Sequence, residues 1–379
     1  MPHPPFMQEE HEALRNMLRR WVKNEIEPHV EAWEEAGLFP RQLLTQMAQL
    51  GLSGMSYPAA AGGQDSDDYA VILLAEELGR SGTGGFVMGL LYHTELAVAP
   101  LVEWGTPEQV ERYAKPALAG TKLAAYAILD GHPGASAPLQ AVKVGDEWVI
   151  SGKKPFVPNA SQADFIVFAA PTADAAGNHG WTLFVAETDR PEICISQRRT
   201  LTGMRTLDVA DVEFRQLRLS QDHVLGKEGE GVATMVHLWQ RECLLRSAVC
   251  VGLAEYAFER AREYARERTA FQRPLAQFQT LSHLMAEMAV EIEAVKQLVY
   301  TAAYRYVQGL DCGKEAVMAK LSSARMAHWV ADRALQLFGG YGYMMEYPIQ
   351  RVWRDTRWFR MSGGSDERLK DHLGELLVG

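Results

Sequence analysis

The residues best placed to do chemistry gather near the C-terminus, where the chain reads Gln336-Leu-Phe-Gly339-Gly340-Tyr341-Gly342-Tyr343, then Trp353-Arg354-Asp355, then Gly363-Gly364-Ser365-Asp366-Glu367. The glycines at 339, 340 and 342 follow an alanine-rich run of helical spacing. A helix therefore stops there, and backbone without side chains can approach a ligand closely. Ser365 with the acids after it reads equally well as a helix N-cap with its capping-box partner. Arginines cluster at 260 to 273 and 351 to 360, where local anion sites can form, although acidic residues interrupt the first cluster. The four cysteines, at 194, 243, 250 and 312, lack Cys-x-x-Cys spacing, so a thiolate metal site of that kind is excluded.

The elements that must hold these residues follow from periodicity. Residues 8 to 119 carry helical spacing, with Leu14, Met17, Leu18, Trp21, Val22 and Ile26 on one stripe, and helices over 41 to 50, 67 to 79 and 87 to 103. Thr106 before Pro107 is a helix start. Between 122 and 220 the pattern changes to short alternating or apolar runs, 142 to 144, 148 to 150, 165 to 168, 181 to 185, 193 to 195, 212 to 214 and 217 to 219, separated by turn residues. That pattern predicts a small antiparallel β-domain. Helical spacing returns over 231 to 267, 278 to 308, 314 to 337 and 365 to 377, and long helices with short links predict an antiparallel four-helix bundle. The fold class is α+β, mainly α, with domains at 1–121, 122–230 and 231–379.

With 379 residues, 47% of them hydrophobic and 23% charged, the chain has material for more than one core. A net charge of -10 excludes nucleic acid as a partner, because a polyanion needs a basic face. No signal peptide is evident, and no apolar run reaches the ~20 residues a membrane helix requires. A reducing cytoplasm without membrane insertion is expected.

These motifs and the order helices, β-domain, helices resemble the acyl-CoA dehydrogenase family over nearly the whole chain. The resemblance implies FAD, an acyl-CoA or acyl-carrier substrate, electron transfer flavoprotein as electron acceptor, and a homotetramer. Its Gln-x-x-Gly-Gly-x-Gly-Tyr turn, here with Gln336, Gly339 and Gly340, meets a neighbouring subunit's flavin dinucleotide. The family loop Thr-Glu-Pro-x-Ala-Gly-Ser-Asp corresponds to 127 to 136. There Gly134 is kept, Leu129 replaces the threonine that bonds the flavin, and Ala135, followed by Ser136, replaces a serine that contacts CoA. The family's Trp-Ile-Thr-Asn corresponds to Phe156-Val157-Pro158-Asn159: Phe156 keeps an aromatic face, but Pro158 offers neither hydroxyl nor N–H. Arg268-Thr-Ala-Phe271, followed by Phe278-Gln279, resembles the stretch whose guanidinium bridges the cofactor pyrophosphate, its fork matching phosphate geometry. Ser365 and Glu367 would touch flavin phosphate or ribose.

The family's second turn is Glu-Gly-Thr-Ser-Glu, and its glutamate is the usual catalytic base. Here that position is Gly363, with Gly364 after it. Counting back from Arg268, Glu242 falls where the isovaleryl-CoA and long-chain branches carry their base, beside Cys243, where arginine is common. The resemblance therefore makes Glu242 the base that takes the α-proton of a thioester. An apolar pocket would disfavour the charged carboxylate and strengthen it as a base, while the Gly363 N–H could polarise the thioester oxygen. The bland alternative is a solvated helix glutamate beside Arg241 and Arg246. Three functions stay open: an acyl-CoA or acyl-carrier dehydrogenase; a flavin-deficient partner subunit of a heteromeric enzyme; and an enoyl-CoA reductase or desulfinase-type flavoenzyme. The Trp-Arg-Asp…Gly-Gly-Ser-Asp-Glu ending resembles the crotonobetainyl-CoA reductase branch.

Overall fold

The computed structural model describes residues 8–128, 139–173 and 179–378. The N-terminal part is helical: α1 (Glu9–Trp21), α2 (Glu27–Ala36), α3 (Gln42–Gln49), α4 (Asp68–Gly79), α5 (Gly85–Leu91), α6 (Ala99–Trp104), α7 (Pro107–Gln109) and α8 (Lys115–Leu118), with π-helical turns at Val22–Ile26, Tyr92–Ala97 and Val110–Ala114. Asp67 caps α4 through Ala70 N–H, and Thr106 makes a capping box with Gln109 around Pro107. Met17 leaves the expected stripe and is exposed; Arg15 takes the buried place, because α1 lies against a charged seam containing Glu77 and Tyr300. Gly85–Trp104 is a continuous helical stretch of 20 residues, long and apolar enough to cross a membrane, contrary to the expectation that no such run exists. It is 94% buried within the chain, packed against β1 and the long helix α9 defined below, so it serves as a core helix.

The middle part is one eight-stranded sheet in the order β6-β7-β3-β2-β4-β5-β8, with β1 joining β4. Its strands are β1 (Ala124–Ala127), β2 (Leu139–Val144), β3 (Glu147–Pro158), β4 (Phe165–Ala173), β5 (His179–Glu187), β6 (Ile193–Ile195), β7 (Val209–Leu219) and β8 (Val224–Leu225). The antiparallel expectation needs correction, since β1 and β2 both run parallel to β4. Alternation assigns faces, not strand directions, and could not reveal this. The runs at 212 and 217 merge into the single strand β7. Phe168, Phe184 and Phe214 stack in the sheet's own core.

Three long helices carry the C-terminal part: α9 (Gly231–Glu267), followed by a β-hairpin of β9 (Thr269–Ala270) and β10 (Arg273–Pro274), then α10 (Gln279–Val307) and α11 (Gly313–Phe338). α12 (Ile349–Phe359) and α13 (Asp366–Val378) both pack on α11. α12 was not expected from the sequence; seven of its eleven residues, Arg351, Trp353, Arg354, Asp355, Arg357, Trp358 and Phe359, are charged or aromatic. Two of its three arginines are engaged within the chain, Arg351 by the Gly82 carbonyl and Glu31 and Arg354 by the Thr202 carbonyl, while Arg357 is exposed.

Two contacts fix the placement of α9 and the junction of the parts. α4 crosses α9 at glycines: a Cβ at Gly252 would lie 2.0 Å from the Glu76 carbonyl oxygen, and one at Gly79 would lie 2.6 Å from that of Val249. Asp355 on α12 accepts the backbone N–H of Met204, beyond the sheet, at 2.6 Å, and that of Gly84, before α5, at 2.8 Å. One buried carboxylate thus ties all three parts.

Beside it lies Glu34, which accepts from Thr83 at 3.1 Å and Thr206 at 3.4 Å. Burial, together with the Asp355 carboxylate, pushes its carboxyl up to about 7. The fold then binds that proton more tightly than the unfolded chain, so stability present below pH 4.5 is lost as pH rises toward 7. Glu34→Gln keeps both acceptor contacts without the charge. Denaturant titrations at pH 5 and pH 8 should show the wild-type chain losing on the order of 3 kcal/mol more than the variant between the two.

Candidate active site

A cavity of about 520 Å³ lies where the β3 end of the sheet faces α9 and the turn after α12. Residues of the N-terminal part (Tyr92), the sheet (Tyr126, Ala127, Lys154, Phe156, Pro158), α9 (Glu242, Arg246) and the 358–363 segment (Trp358, Met361, Ser362, Gly363) line it. β3 reaches it through a bulge: its register against β7 shifts between Lys154 and Val157, where Pro155 cannot donate to the ladder. Phe156 is turned out at φ +56, 61% exposed, its N–H donating to Asp211 at 3.1 Å and its ring under the Arg199 guanidinium at 4.5 Å. Asp211 braces the bulge. Its carboxyl is held well below the usual range by its hydrogen bonds with Arg199, then by Lys153 and the Phe156 N–H.

Glu242 is 3% exposed, so the solvated-glutamate alternative falls. Nor is the pocket purely apolar. Arg246, one helical turn on, donates to Glu242 Oε1 through Nε at 2.8 Å and Nη2 at 2.6 Å, and its guanidinium rests 4.6 Å from the Trp358 ring centre. Nη2 also reaches the Tyr92 hydroxyl, and Nη1 donates to Ser362 Oγ at 2.7 Å. Two buried oxygens on the cavity wall have no hydrogen-bond partner among the described residues: Glu242 Oε2 and the Tyr126 hydroxyl. Burial, reinforced by the Glu242 carboxylate, keeps the Tyr126 phenol protonated. A cavity whose lining residues carry an unpartnered carboxylate oxygen, an unpartnered phenol and aromatic rings suits a molecule with polar groups.

A second concavity, about 560 Å³, lies at the far end of α11, lined by Tyr264, Arg268, Leu275, Leu337, Phe338, Gly339, Gly340, Tyr341 and Met344. No residue lines both. Gly339 adopts φ +59, and a Cβ at Gly339 or Gly340 would meet nothing within the chain. Arg268 sits over Tyr341 at 5.9 Å, and no ion pair to it is found among the described residues. Phe271, at the hairpin tip with φ +50, is 91% exposed.

Comparison with known proteins decides what this architecture is. Family models described as the N-terminal, middle and C-terminal domains of acyl-CoA dehydrogenase match residues 8–121, 133–217 and 229–377. The chain belongs to the acyl-CoA dehydrogenase family. A short-chain specific acyl-CoA dehydrogenase of Clostridium acetobutylicum is 34% identical over 362 residues, 94% of this chain and 95% of that one. The CarC subunit of a caffeyl-CoA reductase-Etf complex from Acetobacterium woodii is 29% identical over 366 residues, 96% of each. The solved butyryl-CoA dehydrogenase of Megasphaera elsdenii superposes with a TM-score of 0.91 at 28% identity, covering 100% of both chains. Members of the family are flavoprotein oxidoreductases acting on CH–CH bonds, and this chain is one of them.

Placed in this fold, the residues singled out from sequence divide into groups. Glu242, Phe156, Pro158 and Gly363 meet around the first cavity; Arg268, Gly339 and Gly340 meet around the second. Leu129, Gly134, Ala135 and Ser136 lie outside the described residues. Phe271, Gln279 and Gln336 are exposed and line neither space. Cys243 lines neither cavity: a helix turns about 100° per residue, so it faces away from its neighbour Glu242, and burial pushes its thiol up to about 12. Gly364 is buried behind the cavity wall, its carbonyl accepting Lys320 Nζ at 2.5 Å. Ser365 caps α13, its Oγ accepting the Arg368 N–H at 3.4 Å, and Glu367 points to solvent. Tyr343 is 79% exposed. The sequence reading missed Tyr92, Tyr126, Trp358 and the role of Arg246; the last was legible as an i, i+4 partner of Glu242.

The first cavity fits a flavin ring in its aromatic walls and open polar atoms, although Pro158 has no donor to offer it. Lys320, under the turn, gives a test of the site's foundations. Burial, with Arg246 facing it, lowers its ammonium to about 8 from 10.5. Between those values the unfolded chain holds the proton more tightly, so stability contributed by this group rises with pH. Unfolding free energies measured at pH 8 and pH 10 should rise less, or fall more, in Lys320→Met than in the wild-type chain.

Proposed function

We propose that the protein is an FAD-dependent acyl-CoA or acyl-carrier dehydrogenase in which Glu242 removes the α-proton of the acyl thioester. The observation that carries this reading is the buried, unpartnered Oε2 of Glu242, a residue that lines the same cavity as Phe156, Pro158 and Gly363. A flavin bound there supplies the acceptor for the hydride that leaves the β-carbon. Oε2 takes the α-proton, and the electron pair left behind becomes the new α,β double bond as the hydride departs. The Gly363 N–H polarises the thioester oxygen, an arrangement that needs only backbone and so survives loss of the family's glutamate there. Phe156 would hold the ring through its aromatic face, and Tyr126 would donate a hydrogen bond to a polar atom of the bound group.

Arg268 with Gly339 and Gly340 would hold the pyrophosphate of FAD bound mainly to another copy of the chain. Support comes from their shared concavity, from the missing ion pair to Arg268, and from the space around both glycines. A homotetramer follows from that division, with the exposed Phe271 among its contacts. Electron transfer flavoprotein is the electron partner we infer, in keeping with the Etf complex to which the CarC relative belongs. That relative's name also marks it as a reductase, so the same atoms run in reverse when Glu242 delivers the proton to an enoyl thioester. A flavin-deficient partner subunit is the second reading, favoured by Pro158.

Purified protein should show a flavin band near one per chain, and one of a panel of acyl-CoAs should bleach it without air. Glu242→Gln should slow the bleaching by about 10²- to 10⁴-fold. A colourless protein that cannot be reconstituted with FAD would select the partner-subunit reading.

A further inference from the structure

Arg246 takes no part in the proton transfer, yet it is the most constrained side chain at the site. Only 1% of it is exposed, and it lies between the rings of Tyr92, at 5.5 Å, and Trp358, at 4.6 Å. Both contacts to the carboxylate fall on one oxygen: Nε and Nη2 bind Oε1, while Oε2 is left without a partner. Tyr92 adds a long contact to the same Oε1 at 3.5 Å. The unpartnered oxygen therefore has a fixed direction, set by a planar fork held against the Trp358 ring and hydrogen-bonded to the Tyr92 hydroxyl.

The guanidinium also fills space elsewhere. A Cβ at Gly363 would lie 2.6 Å from Arg246 Nε, 2.9 Å from Cζ and 3.0 Å from Cδ, on backbone already at φ +66. Position 363 is where the family usually carries its catalytic glutamate. That side chain and Arg246 cannot coexist without one moving.

We propose that Arg246 is a positioning residue: it orients Glu242 by binding Oε1 alone and occupies the volume of the side chain absent at 363, so that a base at 242 and a side chain at 363 are mutually exclusive. The inference rests on Glu242 being the base. It goes further in assigning the loss of the turn's side chain to a steric partner on α9.

Two measurements on the flavin-loaded protein test it. The first needs no substrate. Gly363→Ala should lower the melting temperature, and the loss should shrink by at least half in an Arg246→Ala background, where only the cost of the positive φ remains. Equal losses in both backgrounds would overturn the steric half; should Arg246→Ala not fold, Arg246→Ser serves as the background. The second follows exchange of the α-hydrogens of butyryl-CoA with D2O, together with butyryl-CoA binding. Arg246→Lys keeps the charge and loses the fork, so exchange per folded enzyme should fall about 100-fold while the Kd changes only a few-fold. Unchanged exchange with a lowered melting temperature would mean that Arg246 is structural only. Wild-type exchange in Glu242→Gln would instead remove the base assignment, leaving the melting result standing.

Discussion

Everything at the active site depends on how deeply α9 is seated, and that depth is set where its backbone meets α4 without intervening side chains. At Gly252 there is no room for a methyl group against the Glu76 carbonyl, nor at Gly79 against that of Val249. Along the same helix, Arg241 must reach Glu95 at 2.6 Å and Asp68 at 2.8 Å, and Glu255 must meet both Arg80 and Lys296. A buried ion is tolerable only when paired, and an orphaned one costs about 3–5 kcal/mol. A helix lifted by one side-chain radius would break several of these pairs together. Small residues at the crossing and charges along the flanks therefore state one condition in two ways.

The fold was largely legible because its signals are local. α9 begins and ends where its 3.6-residue periodicity begins and ends, and Thr106 with Pro107 and Gln109 marks a helix start that the chain uses. What failed was non-local or overridden. The parallel pairing of β1 and β2 with β4 depends on connections between strands far apart in sequence, to which alternation is blind. Met17 and Arg15 exchanged their expected exposure because a buried ionic seam outweighed hydropathy at that face.

The site was legible only in outline. Glu242 could be placed by register, and its burial could not: a glutamate between arginines looks solvated until the fold stacks Tyr92 and Trp358 around its partner. Cys243 shows the converse error, since adjacency in sequence becomes opposition on a helix. Ser365 and Glu367 turned out to begin a helix, the plainest use of a serine ahead of acids. Arg268 and the glycines of 339 and 340, proposed to hold the cofactor's other half, line a concavity apart from the first cavity. Residues such as Phe271 then look unfinished in a single copy.

The apolar helical stretch Gly85–Trp104 carries a consequence for how the molecule is made. Its cover is supplied by β1, which follows soon after, and by α9, which the ribosome delivers only when the whole sheet has been synthesised. Through that interval the nascent chain displays a segment that a targeting factor or a bilayer could mistake for its own. Two glutamates lie within it, Glu95 at its middle and Glu103 next to its last residue, and Glu95 finds its arginine only when α9 arrives. The charge that later completes an ion pair thus serves first as a mark against mistaken insertion.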